Sequence, residues 1–150
     1  MSKSIVVFWF GAAVLSLAAT LSGCAKELGR VPFRITATDT ASLELARGEV
    51  DFWTDLELVY LGNPWVLDRI GLEQTGSTVA STVCDPLGPR RWSVWEEFWR
   101  GPYHHVKGRA QMLCSAVLPK AGATRVRVTL DYDASAKNVA VTKADLVIKQ

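Results

Sequence analysis

The chain is poor in the side chains that most often carry metal or nucleophilic chemistry. Its 150 residues hold two histidines, three cysteines and two methionines. The histidines are the adjacent pair His104-His105, and neighbouring positions on a strand point to opposite faces, so the two cannot readily share one ion. No cysteine has a second Cys or His at zinc-ligand spacing. No Gly-x-Ser-x-Gly elbow and no Ser-x-x-Lys occurs, and Glu96-Glu97 is the one adjacent carboxylate pair near the aromatic residues. Asp131–Asn138 echoes a calcium loop but lacks the Gly at its sixth position and the Glu at its twelfth, where Thr142 stands. The sequence therefore calls for no catalytic residue, no metal and no cofactor. Charge of one sign is also missing. Lys and Arg number 17 against 15 Asp and Glu, a net +2, too balanced for a surface that tracks nucleic-acid phosphates. Hydrophobic residues at 49% and charged residues at 21% exclude global disorder. Internal repeats are absent.

One long apolar run is present, at the N-terminus. Lys3 is followed by Ile5–Leu21 without a charge, and the next charged residue is Lys26. The run is shorter than the roughly 20 residues of a spanning helix. A basic start, an apolar stretch and small residues at its end are the pattern of a secretory signal. It ends in Leu21-Ser22-Gly23-Cys24, which resembles the lipobox of bacterial lipoproteins: an aliphatic residue, a small residue, Gly or Ala, then Cys. The resemblance implies a signal peptide over 1–23, with Cys24 diacylated on sulfur, becoming the first mature residue and then N-acylated. It implies a membrane partner through the N-terminal lipid and a cell-envelope location. Ala25 after the Cys, where Asp goes with inner-membrane retention in this family, favours the outer membrane if the host has one. Anchoring by such chains draws on about 0.8 kcal/mol per buried CH₂.

With Cys24 assigned to lipid, Cys84 and Cys114 remain. In an oxidising compartment they have one possible pairing. Closing that loop is worth about 3–4 kcal/mol in the chain-entropy picture.

The rest reads as strands. In Val50–Tyr60 the even positions are nearly all apolar and the odd ones include Asp51, Asp55 and Glu57. Thr124–Tyr132 alternates likewise. Val31–Asp39, Trp65–Glu73, Ser77–Cys84, Ala110–Leu118 and Asn138–Lys149 are further candidates, the last with a phase change near Thr142-Lys143 that predicts a bulge. Turn residues separate these runs at 62–64, 85–89, 119–122 and 133–137. Seven to eight short strands predict an all-β fold, an antiparallel β-sandwich of Ig-like or jelly-roll-like type over 31–150. Residues 24–30 read as a lipidated tether.

One segment departs from this rhythm. Ser93 precedes Glu96 by three residues, as in a capping box, and Trp92, Trp95 and Trp99 recur at i, i+3, i+7. This predicts one short helix near 93–100, stopped by Gly101-Pro102. The plainer packing has the helix plug one end of the sandwich and bury its tryptophans. In the alternative, Trp92, Trp95, Trp99 and Tyr103 form a ligand surface, with Arg90, Arg91, Arg100, His104, His105 and Lys107 as a basic rim.

Function follows as an expectation: a lipid-anchored cell-envelope lipoprotein with a non-enzymatic binding or assembly role, whose partner is another envelope protein or a glycan. Two alternatives stand beside it. One is a glycan- or peptidoglycan-binding module using Trp92–Tyr103. The other is a periplasmic inhibitor or immunity-type lipoprotein.

Overall fold

A computed structural model describes residues 25–34, 37–133 and 139–150. The lipobox and Cys24 lie outside the described residues, as do positions 134–138 of the calcium-like segment. The described residues form nine strands: β1 (Glu27–Pro32), β2 (Thr38–Leu45), β3 (Gly48–Leu61), β4 (Val66–Gln74), β5 (Ser77–Cys84), β6 (Arg90–Arg100), β7 (Tyr103–Leu118), β8 (Gly122–Tyr132) and β9 (Ala140–Lys149). They build two sheets, ordered β1-β9-β3-β7-β6 and β2-β8-β4-β5. Every pairing is antiparallel. The protein is a β-sandwich.

Alternation sets the layers. Val50, Phe52, Leu56 and Leu58 of β3 and Leu146 and Ile148 of β9 are buried, as are Ile70 and Leu72 of β4 and Val126, Val128 and Leu130 of β8. These two inner faces share one core. The outward positions of β3 include Asp51, Asp55 and Glu57, as the period-two reading requires. Asp55 accepts hydrogen bonds from Arg30 at 3.0 Å and pairs with Lys143 at 2.8 Å. Burial raises the pKa of Asp55, but these two cations outweigh it and hold the carboxyl below its ordinary value. The phase change near Thr142 is a bulge. The register passes from Glu57↔Lys143 to Leu58↔Val141, and the displaced Thr142 donates its hydroxyl to the Glu57 carbonyl at 3.0 Å.

Three expectations are corrected. The described residues contain no helix, and Trp92–Arg100 belongs to strand β6. β6 pairs with β7 from Arg90↔Met112 to Arg100↔Tyr103. The pairing recruits backbone groups that a one-turn capping motif cannot compete with, and Trp, Val and Phe are strong strand formers. Gly101 and Pro102 do end the segment, but as a two-residue hairpin turn between strands and not as a helix stop. Gly101 sits at φ +61° in the first central position, where turns of the II′ kind require glycine. The second correction is the strand at Val31–Asp39. β1 closes at Pro32 and β2 opens at Thr38, each in a different sheet. The third is the tether: Glu27–Arg30 lie within β1, and Lys26 and Gln150 exchange backbone hydrogen bonds at 3.1 and 3.2 Å.

Candidate functional site

β6 is an edge strand with β7 on one side, and its side chains alternate between two unlike surfaces. On the outward face stand Trp92, Val94, Glu96 and Phe98, opposite Gln111, Arg109, Lys107 and His105. On the inward face stand Arg90, Trp95, Glu97 and Trp99, opposite Met112, Gly108, Val106 and His104. The four-stranded sheet does not cover this inward face fully. Trp99 is 63% exposed, Phe98 50% and Trp92 49%, whereas Trp95 is half-buried against the core. The plug packing is thus corrected: an edge strand with both faces near solvent cannot hide large rings at every position.

The inward residues form a connected polar and aromatic cluster. The Trp95 indole donates to Glu97 Oε1 at 2.5 Å, and Arg90 Nη2 donates to the same oxygen at 3.2 Å. The Arg90 guanidinium also lies 4.2 Å from the Trp95 ring centroid, a cation–π contact. His104 Nε2 is 3.6 Å from Glu97 Oε2. Trp99 stacks flat on His104, with centroids 4.5 Å apart and planes 5° apart, and His104 meets Tyr60 edge-on at 4.9 Å. Burial, and then the neighbouring Glu97 carboxylate, raise the pKa of the Tyr60 hydroxyl. Beside this cluster opens a cleft of about 320 Å³ lined by Tyr60, Asn63, Trp65, Asp85, Arg90 and Glu97, among others. Asp85 Oδ1 accepts the Leu87 amide at 2.9 Å and so shapes the β5–β6 loop that forms one wall.

The outward residues form a second surface. Trp92 meets Trp53 of β3 with centroids 5.1 Å apart and planes tilted by 50°. The Lys149 ammonium lies 3.7 Å from the Trp53 centroid. Between them is an open cavity of about 580 Å³ walled by Ala25, Asp51, Trp53, Trp92, Arg109 and Lys149. Phe98 stacks on His105 at 4.8 Å and 7°. Exposed Leu113 and Val117 continue the apolar strip along β7. Tyr103, at the hairpin end of β7, alternates onto this outward side and is also exposed.

The four aromatic residues singled out from the sequence therefore share one hairpin but not one face. Trp95 and Trp99 look inward, and Trp92 and Tyr103 outward. His104 and His105 part as their adjacency demands. Among the described residues no group of three or more His, Cys, Asp or Glu side chains is placed to hold a metal ion. Cys84 and Cys114 are joined by a disulfide. The sequence reading passed over Trp53, Trp65, Tyr60 and Lys149. Trp53 carries a legible signal, since it is an indole set among Glu49, Asp51, Asp55 and Glu57 on the odd-numbered face of β3. Neither a protein-family model nor a curated protein sequence matches this chain.

Proposed function

We propose that this chain is a lipid-anchored cell-envelope lipoprotein with a non-enzymatic binding or assembly role, exercised through the β6–β7 hairpin. One observation carries the reading. Trp92, Val94, Phe98, Trp99, Tyr103, Leu113 and Val117 are all exposed on this hairpin. All but Trp99 lie on the outward face, where contiguous exposed apolar side chains mark an interaction surface, and a long edge strand offers backbone groups to a partner as well. The lipobox resemblance supplies the envelope location, and a disulfide suits an oxidising compartment.

The inward side of β6 favours a glycan as the partner. Sugar rings are held by a flat aromatic face with hydrogen-bonding groups at its rim. The Trp99–His104 stack is such a face, and Arg90, Glu97 and the Tyr60 hydroxyl stand beside it. Retention of the lipidated protein on purified peptidoglycan sacculi tests this, with Trp99→Ala against Ser81→Ala on the far sheet. The expected result is a loss of about tenfold or more for Trp99→Ala, as an aromatic contact worth 1–2 kcal/mol implies. Equal retention of both variants removes the glycan reading. If in-cell cross-linking from position 99 also captures no envelope component above the level from position 81, the binding role itself is lost.

A further inference from the structure

The outward strip of β6 and β7 has an unusual relation to the N-terminus. Ala25, the residue next to Cys24, forms part of the wall of the Trp53–Trp92 cavity. Consecutive Cα atoms are about 3.8 Å apart. Acyl chains on Cys24 therefore originate one residue from this face, whatever path they take. A domain tied to a bilayer at that point has little freedom to turn the strip away, because β1 begins at Glu27 and leaves no linker.

The chemistry of the face suits the boundary between lipid headgroups and acyl chains. Trp53 and Trp92 are amphipathic indoles, the side-chain type enriched at that depth; Trp92 is half exposed, while the Trp53 N–H is buried without a partner among the described residues. Val94, Phe98, Leu113 and Val117 are exposed beside them. The charges on the rest of the face largely answer one another. Glu27 pairs with Arg30 at 2.6 Å and with Arg109 at 3.4 Å, Asp55 with Lys143 at 2.8 Å, and Glu57 with Lys107 at 3.7 Å. Paired charges lose less than lone ones when water thins around them, and long Lys and Arg stems can keep their heads at the phosphate level. The outer face of the four-stranded sheet offers no comparable strip: Thr38, Thr40, Ser42, Arg69, Arg125 and Arg127 point outward there.

We propose that the outward face of the five-stranded sheet, along β6–β7 and the Trp53–Trp92 cavity, lies against the bilayer interface that the Cys24 acyl chains enter. This rests on the lipoprotein reading of Cys24. It divides β6 between two tasks, with Trp92, Val94 and Phe98 toward lipid and Trp95, Glu97 and Trp99 toward a ligand.

The test uses the full lipidated protein in vesicles of phosphatidylethanolamine and phosphatidylglycerol at about 3:1. A photoreactive benzophenone amino acid replaces Val94 or Val117 on the outward strip, or Thr40 or Ser81 on the opposite sheet. Adducts are identified by mass, and the intact mass of the chain reports acylation of Cys24. The expected result is phospholipid adducts from Val94 and Val117 at least about tenfold above those from Thr40 and Ser81, as insertion of a few ångströms into the acyl boundary requires. An acylated chain with equal lipid yields from all four positions overturns this orientation and leaves the lipoprotein reading intact. An acylated chain whose outward positions capture a second copy instead of lipid overturns it as well. A chain without acyl mass overturns both.

Discussion

Asp68 is the most costly residue in the core. It lies on β4 opposite Cys84 of β5 and Leu130 of β8, is fully buried, and neither carboxyl oxygen has a hydrogen-bond partner among the described residues. Burial, with the Asp85 carboxylate adding to it, pushes its pKa from 3.8 up to about 8. At neutral pH the folded chain thus holds a proton that the unfolded chain has released. In that window stability falls as pH rises, by up to about 1.4 kcal/mol per unit, and it levels off above the folded pKa. The contribution is complete only below the unfolded value near 3.8. Asp68→Leu keeps the branched outline, with somewhat larger methyls in place of the oxygens, and removes both the charge and the orphaned acceptors. The variant is expected to be more stable than the parent at pH 8, with its advantage shrinking by about 4 kcal/mol on going to pH 5. Urea unfolding at the two pH values measures this, and a gap that does not change with pH would show that the buried carboxyl titrates normally.

At the scale of elements, β6 owes its place to one close approach. A Cβ added to Gly108 of β7 would lie 2.2 Å from the Val94 carbonyl oxygen and 2.8 Å from the Trp95 Cα. Both are backbone atoms of β6, which cannot swing aside as a side chain does. Gly108→Ala is expected to cost about 1–3 kcal/mol as an overpacked contact. Because β6 pairs its backbone with β7 alone, the loss should be local. Amide hydrogen exchange should quicken across Arg90–Arg100 and stay unchanged in β2 and β8. Acceleration spread evenly over both sheets would mean that β6 unfolds only with the whole sandwich.

The same strand shows how far the sequence can be read. β3 and β8 each have one face in the core and a more polar one opposite, so alternation is written into their residues; β9 alternates less cleanly, with Leu146, Val147 and Ile148 all buried, yet its phase change still marks the bulge at Thr142. β6 has rings and charges on both faces. With no dry side to enforce period two, Trp92, Trp95 and Trp99 fit a helical spacing equally well. In the strand, Trp95 and Trp99 still share a face, and only Trp92 is out of phase. β2 was hidden for a related reason: its inward positions are Asp39, Ala41, Leu43 and Leu45, too weakly apolar at the start to stand out. The cleft beside Glu97 was not legible at all. Tyr60, Trp65, Asp85 and Arg90 come from separate strands and loops, and only the sheet order brings them together.

At the scale of the whole molecule, the two sheets are joined covalently at one side by Cys84–Cys114. Cys84 ends β5, the edge of the four-stranded sheet, and Cys114 lies in β7, second from the edge of the five-stranded one. At a sequence separation of 30, the bridge restricts the unfolded chain by about 3–4 kcal/mol. It also ties β7, on which β6 depends, to the opposite layer. The double variant Cys84→Ala with Cys114→Ala is therefore expected to lose about 3 kcal/mol in denaturant unfolding. A reducing agent should bring the parent chain down to the same midpoint and leave the variant unmoved. The variant should keep its fold, because Cys84 and Cys114 are two small members of a core that also holds Phe52, Leu58, Ile70, Leu130 and Ile148. A reductant effect on the variant would point to a process other than the bridge. A parent chain indifferent to reductant would show that the bridge contributes nothing to stability, and would place the cohesion of the two layers on the shared core.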